Sequence, residues 1–356
     1  MRAMRAVWMV LFVLGLSASA GAQSSTSLPL VRVIATGGTI AGVQDAPGTL
    51  GAYRAGTRSV ADIVQSVPEL TKFARIETEQ FSNVASTEIM PAQWLALSRR
   101  INEALARPDL DGVVVTHGTD RLEETAFFLY LTIKSDKPVV IVGSQRPATG
   151  ISPDGPINLL SAVRTAGAND ARGMGVMVVM DDRILSARES RKIYPRTGGF
   201  SGGEMGMLGV VGGGGPEFFF RPVRRHGAET EFDVTRIMTL PTVELVYSYP
   251  GGAGPRLGAD TVGVVVTSTG FSPSERDAFL EVRKRGVVMA QVFPSGEHVP
   301  GGSGGGGQGG GAQGQAPLPP IVSVQHLLPQ KARILLMLAL TRTKDAREVQ
   351  RIFSEY

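Results

Sequence analysis

A chain of 356 residues is long enough for two domains, and 36 Lys and Arg against 32 Asp and Glu leave a formal charge of +4, too small an excess for a polyanion-binding surface. Hydrophobic residues at 42% and charged residues at 19% call for a packed core and exclude wholesale disorder. Cysteine is absent, which excludes thiolate nucleophiles, disulfide frameworks and Cys-based metal sites.

The first residues read as a secretory leader. Arg2 and Arg5 form the positive start, AVWMVLFVLGL is the apolar stretch, and SASAGAQ offers small-x-small cleavage after Ala20 or Ala22. The expected signal peptide is 1–22, with Gln23 as the mature start and export to the periplasm or the medium; an uncleaved anchor is the alternative. Of the 36 basic residues two then leave with the leader, so 34 face 32 acidic ones and the mature charge is +2. No second apolar run follows, and no stripe of basic residues with interleaved aromatics is present, so neither a membrane span nor a nucleic-acid partner is expected.

Next, LVRVIATGG is a strand entering a loop, and SVADIVQSV is a helix capped by Ser59. MPAQWLALSRRINEALA is a helix begun by Pro91. LDGVVVTHGTD is a buried strand entering a loop, RLEETAFFLYLTI a helix, KPVVIVGSQRP a strand, GPINLLSAVRTA a helix and GMGVMVVMDD a strand. Continuous Val/Ile strands alternating with helices predict a parallel sheet covered on both faces. A glycine-rich stretch with short β-like pieces follows. Then TVGVVVTSTG is a strand, SPSERDAFLEVRKRG a helix with a Ser272, Pro273, Glu275 capping box ending at Gly286, and VVMAQVF a strand. A low-complexity tract precedes two last helices, PQKARILLMLALTRT and DAREVQRIFSEY. The expected organisation is α/β: a larger flavodoxin-like or Rossmann-like parallel-sheet domain over 30–215, a linker over 216–240, and a smaller α/β domain over 241–356 with a Gly-rich insertion at 301–316.

Three loops follow the carboxyl ends of predicted parallel strands, the edge where open α/β sheets bind ligands. They carry Thr36, Gly37, Gly38 and Thr39; Thr116, His117, Gly118, Thr119 and Asp120; and Gly143, Ser144, Gln145, Arg146 and Pro147. A threonine hydroxyl needs a base or a polarising partner to become a nucleophile. Asp120 follows Thr119, and Lys192, just after the fourth strand, is a further partner by position. Glycine beside each threonine lets backbone N–H groups approach a developing oxyanion. Each loop alone reads more readily as a turn and nothing more. A phosphate cradle is not supported, since neither G-x-x-x-x-G-K-[ST] nor G-x-G-x-x-G occurs. Arg146 either clamps an anion or braces its loop, Asp181 and Asp182 read as a solvated strand end, and His117 as support for its loop. The histidines at 117, 226, 298 and 326 lack H-x-x-x-H spacing, so no metal is expected.

ATGGTIAG, THGTDRLEETAFFL, KPVVIVGSQRP and DGPINL resemble the signature blocks of bacterial L-asparaginases, most closely the exported type II branch with its glutaminase-asparaginases. PQKARILLMLALTRTKD resembles that family's C-terminal block, so the likeness runs from about Leu30 onward. The resemblance implies cofactor-free hydrolysis of the side-chain amide of L-asparagine, with L-glutamine as a second substrate, in a homotetramer built as a dimer of dimers. It implies Thr39 as the nucleophile and Tyr53, on a mobile lid, as its activator. Ser86 would hold the substrate α-carboxylate, Thr119 and Asp120 would bind substrate, and Lys192 would form a second triad with them. Gly38, Thr87, Gly118 and the backbone at Ser144 would border the substrate.

Two positions depart from the family. The acidic residue lent by a neighbouring subunit falls at Gln313, inside the Gly-rich tract, and the accompanying asparagine near Phe271. Glu297 is the nearest upstream acid. Asp120 would then pair the substrate ammonium alone. The tract reads as a tolerated insertion, with a spacer over the neighbouring site as the alternative. Two other functions remain in view: a small-molecule binder or sensor with weak turnover, and a nucleotide-binding enzyme, which lacks its fingerprint.

Overall fold

The computed structural model describes residues 27–48, 52–297 and 319–356. The expected leader, its cleavage sites, the Gly-rich tract at 301–316 and Gln313 lie outside the described residues.

The first unit is built on strands β1 (Leu30–Gly37), β2 (Arg75–Val84), β3 (Gly112–Thr116), β4 (Val139–Val142), β5 (Val176–Met180), β6 (Arg183–Ser186), β7 (Met207–Gly212) and β8 (Gly215–Phe218). They form one sheet in the order β8-β7-β6-β5-β4-β3-β1-β2. From β2 to β5 neighbours run parallel, and β6, β7 and β8 add an antiparallel edge. Every residue of β3, β4 and β5 is buried, which requires cover on both faces. That cover comes from α1 (Val60–Gln65), α2 (Pro91–Leu105), α3 (Leu122–Thr132) and α4 (Gly155–Ala166). Pro91 opens α2, where its missing N–H costs nothing, and Trp94 stacks on Phe128 of α3 with ring centroids 5.5 Å apart.

Strand β2 has no counterpart among the expected elements. It lies at the sheet edge, and its alternation carries charge rather than Val and Ile. Glu77 pairs with Arg32 and Arg107, and Glu79 with Arg32 and Arg100. Charged edges of this kind discourage pairing with other chains.

The second unit has the parallel order β9 (Val243–Tyr247), β10 (Gly263–Thr267), β11 (Val288–Val292), β12 (Val322–Ser323). Helix α5 (Pro273–Lys284) begins with the expected capping box: Ser272 accepts from the Glu275 N–H, and the Glu275 carboxylate from the Ser272 N–H. Helices α6 (Pro329–Leu340) and α7 (Ala346–Glu355) complete it. Buried residues of α6 and α7 join those of the large sheet in one continuous core. Tyr356 ties the units further: its Oη accepts the Glu231 N–H at 2.7 Å, and its carbonyl accepts Arg188 Nε at 2.5 Å. Among the described residues no helix is long and apolar enough to cross a membrane.

Candidate active site

In the large sheet β1 lies between β3 and β2, so the chain leaves β1 in one direction and returns on its other side. That reversal opens a crevice at the carboxyl ends of β1 and β3. Both glycine-threonine loops empty into it. The register of β1 against β2 slips between Ala35 and Gly37, and the next residue, Gly38, donates its N–H to Val84 O at 3.0 Å. Gly37 and Gly38 sit at φ 112° and 83°, conformations closed to most L side chains. The kink delivers Thr39, buried, at the start of a single 3-10 turn.

The hydroxyl of Thr39 lies 2.7 Å from Tyr53 Oη. Tyr53 comes from a two-residue ribbon, Tyr53–Arg54 against Val43–Gln44. Two backbone bonds anchor the base of that ribbon, Gly56 N–H to Gly38 O at 3.1 Å and Thr57 N–H to Ala41 O at 2.8 Å. In the second loop Lys192 Nζ donates to Thr119 Oγ1 at 2.7 Å and to Asp120 Oδ1 at 2.6 Å. Thr119 Oγ1 has a longer contact, 3.5 Å, to Gln145 Oε1. Thr119 is buried, whereas the Asp120 side chain is 67% exposed.

Ser86 reaches the same crevice from the far side. It opens a 3-10 turn after β2, and its hydroxyl accepts the Arg121 N–H at 3.3 Å. Thr87, its neighbour, is exposed. In the third loop Ser144 is buried and its hydroxyl donates to Arg146 O at 2.8 Å. The structure thus joins Thr39 with Tyr53, joins Thr119 with Asp120 and Lys192, and gathers Gly38, Ser86 and Gly118 at one contact. Arg146 braces its loop, donating to Ser152 O at 2.7 Å. His117 is fully buried, and its Nδ1–H donates to Gly118 O at 2.7 Å. Burial pushes that imidazole down to about 4, so it is neutral at ordinary pH. Asp181 sits at φ 53°, and burial raises its carboxyl.

Several supporting residues escaped the sequence reading. Asp154 accepts the N–H groups of Gln145 and Arg146, both at 2.8 Å, and Asn158 ties it to Gly143 O. Glu123 accepts the Lys192 N–H at 2.5 Å. The only local signal was their position at the start of a helix that follows a site loop.

The family model described as "Asparaginase, N-terminal" matches residues 30–224. The chain belongs to the asparaginase family. It is 41% identical to L-asparaginase 2 of Bacillus subtilis (strain 168), over 95% of this chain and 89% of that protein. It is 40% identical to the glutaminase-asparaginase of Pseudomonas fluorescens biotype A, over 94% of this chain and 92% of that one. A solved structure, the probable cytoplasmic L-asparaginase from Campylobacter jejuni, superposes with a TM-score of 0.82 at 35% identity, covering 92% of this chain and all of that one. Similarity to L-asparaginase 2 proteins over most of the chain places it with the type II-like bacterial members of the asparaginase family. Among the described residues no group of three or more His, Asp or Glu could hold a metal ion.

Proposed function

We propose that this asparaginase-family chain is an exported amidohydrolase that converts L-asparagine to L-aspartate and ammonia, and also accepts L-glutamine. The observation that carries the reading is the Lys192 amine held between Thr119 Oγ1 and Asp120 Oδ1, beside the Thr39–Tyr53 hydroxyl pair. Thr39 Oγ attacks the amide carbon while its proton passes to Tyr53 Oη, which hands its own hydroxyl proton on toward the amide nitrogen. Backbone N–H groups of the loops stabilise the oxyanion. The C–N bond breaks, the nitrogen takes a proton, and ammonia leaves an ester on Thr39. A water near Thr119 and Lys192 then attacks that ester, releases the aspartate carboxylate and returns the proton to Thr39. Asp120 faces the substrate α-amino group, and Ser86 the α-carboxylate, with Gly38, Thr87, Gly118 and Ser144 around them.

The leader motif at 1–22 supports export. Family likeness supports a homotetramer whose C-terminal unit borders the neighbour's site. Phe271, near the family's asparagine position, instead packs within its own unit, its ring 4.9 Å from that of Phe279. A neutral aromatic there supplies no hydrogen bond to substrate, which favours weaker discrimination between the two amides.

The test is ammonia release by the chain from Gln23 onward, with each amide, beside Thr39→Ala and Thr119→Ala. Turnover that collapses in both variants supports the reading. An inert parent that still binds amino acids would sink it in favour of a binder. Light scattering of the same sample tests the tetramer.

A further inference from the structure

The PQKAR block, residues 329–333, lies far in sequence from both catalytic loops, and the proposed reaction does not use it. Its first turn nevertheless reaches the site from within the same chain. Gln330 Nε2 donates to Glu123 Oε1 at 2.5 Å, and the other oxygen of Glu123 accepts the Lys192 N–H at 2.5 Å. Next to Gln330, the Lys331 side chain is 0% exposed. Its Nζ donates to the carbonyls of Ala187 at 2.9 Å, Arg188 at 2.9 Å and Ser190 at 2.5 Å. Those carbonyls belong to the segment that leads into Lys192.

Plain packing does not account for these choices. The start of a helix favours anions, and a fully buried ammonium is costly unless its protons are all satisfied. Lys331 meets that condition only through the three carbonyls of one loop. Glu123 is 8% exposed, and its two oxygens are divided between an α6 side chain and the Lys192 backbone. Among the described residues the ladder at Arg191–Lys192 is two residues long, against Phe200–Ser201. Two residues of ladder cannot fix an amine to within the tolerance of a catalytic contact.

We propose that the first turn of α6 is a positioning device for Lys192: Gln330 acts through Glu123, and Lys331 through the 187–190 carbonyls. The kinetic part of this inference rests on the amidohydrolase reading; the geometric part does not.

The test uses the mature chain with Q330E, the double variant E123Q/Q330E, and Lys331→Met. In Q330E two carboxylates face each other. In the double variant the amide group at 123 donates to the carboxylate at 330, while its oxygen still accepts the Lys192 N–H, so the linkage is restored. Two readouts are taken: kcat and KM for L-asparagine, and competitive acetic anhydride labelling of Lys192 against the other lysines. Q330E is expected to lower kcat about tenfold or more with KM within about twofold, and to raise Lys192 labelling about fivefold, since a small displacement of a catalytic group costs rate steeply. The double variant should restore both, and Lys331→Met, measured on folded protein, should also expose Lys192 to labelling. Unchanged kcat and labelling in Q330E would overturn the proposal, as would a loss the double variant fails to repair or a uniform rise in labelling of every lysine. If the parent releases no ammonia yet Lys192 labelling rises and is restored as described, the amidohydrolase reading fails and the positioning device stands.

Discussion

Gly38 and Gly118 touch: a Cβ on Gly38 would lie 2.3 Å from Gly118 Cα, and one on Gly118 would lie 2.9 Å from Ser86 Cβ. The two glycine-threonine loops therefore meet backbone to backbone, with Ser86 closing the contact. Gly38→Ala must both adopt a positive φ and push the second loop aside. The expected cost is about 2–4 kcal/mol of stability with loss of most activity. Urea unfolding and ammonia release measure both. A variant of full activity would show that the loops tolerate separation.

Tyr53 touches Thr39 through a single hydroxyl contact of 2.7 Å, and its ribbon lies at the surface. Tyr53→Phe keeps the ring and removes only the hydroxyl that the proposed reaction uses as proton carrier. A fall in kcat of about 100-fold is expected, with an unchanged melting temperature. A smaller effect, within about threefold, would assign activation of Thr39 elsewhere.

His117 makes stability depend on pH. Unfolded, its imidazole titrates near 6.5; buried in the fold it titrates at about 4, with desolvation as the main cause and the Gly118 carbonyl opposing it. Between those values the unfolded chain binds a proton that the fold excludes. The contribution is complete above pH 6.5 and is lost as the pH falls toward 4, up to about 3 kcal/mol. Urea unfolding at pH 7.0 and pH 4.5, on the parent and on His117→Asn, isolates the effect. The variant should lose less stability on acidification; equal losses would reject a buried neutral imidazole.

Asp154 holds the third loop by accepting two adjacent N–H groups, those of Gln145 and Arg146. Asp154→Ala leaves both without that acceptor, at about 1–3 kcal/mol each if water does not enter. Gln145, near the Thr119 hydroxyl, then loses its place. A raised KM and a lower melting temperature are expected together. Normal kinetics in a destabilised variant would limit Asp154 to a structural role.

Much of this molecule was legible in its sequence because the signals are local. Val and Ile runs in β3, β4, β5 and β10 are buried on both faces, so they read as core strands without ambiguity. Ser59, Pro91 and Ser272 mark helix starts by their own chemistry. Strand β2 was missed because Glu77 and Glu79, half-buried in the fold, look in sequence like a solvated segment, and their partners Arg32, Arg100 and Arg107 come from elsewhere in the chain. Of the antiparallel edge only short β-like pieces were legible, because β7 and β8 are short and glycine-bearing and β6 is four residues long.

The sequence by itself determined the α/β class and the three loops at one sheet edge, and it singled out Thr39, Thr119, Asp120 and Lys192 as candidate reactive groups. Tyr53 and Ser86 rested on the likeness to a family. Tertiary structure alone decided which groups meet. The slip of β1 against β2 aims Thr39, and the packing of Gly38 on Gly118 fixes its distance from the second loop. Glu123 is joined to Gln330 across 207 positions of chain. Such partners leave no periodic trace, because a hydrogen bond constrains two atoms in space and puts no pattern on the residues between them.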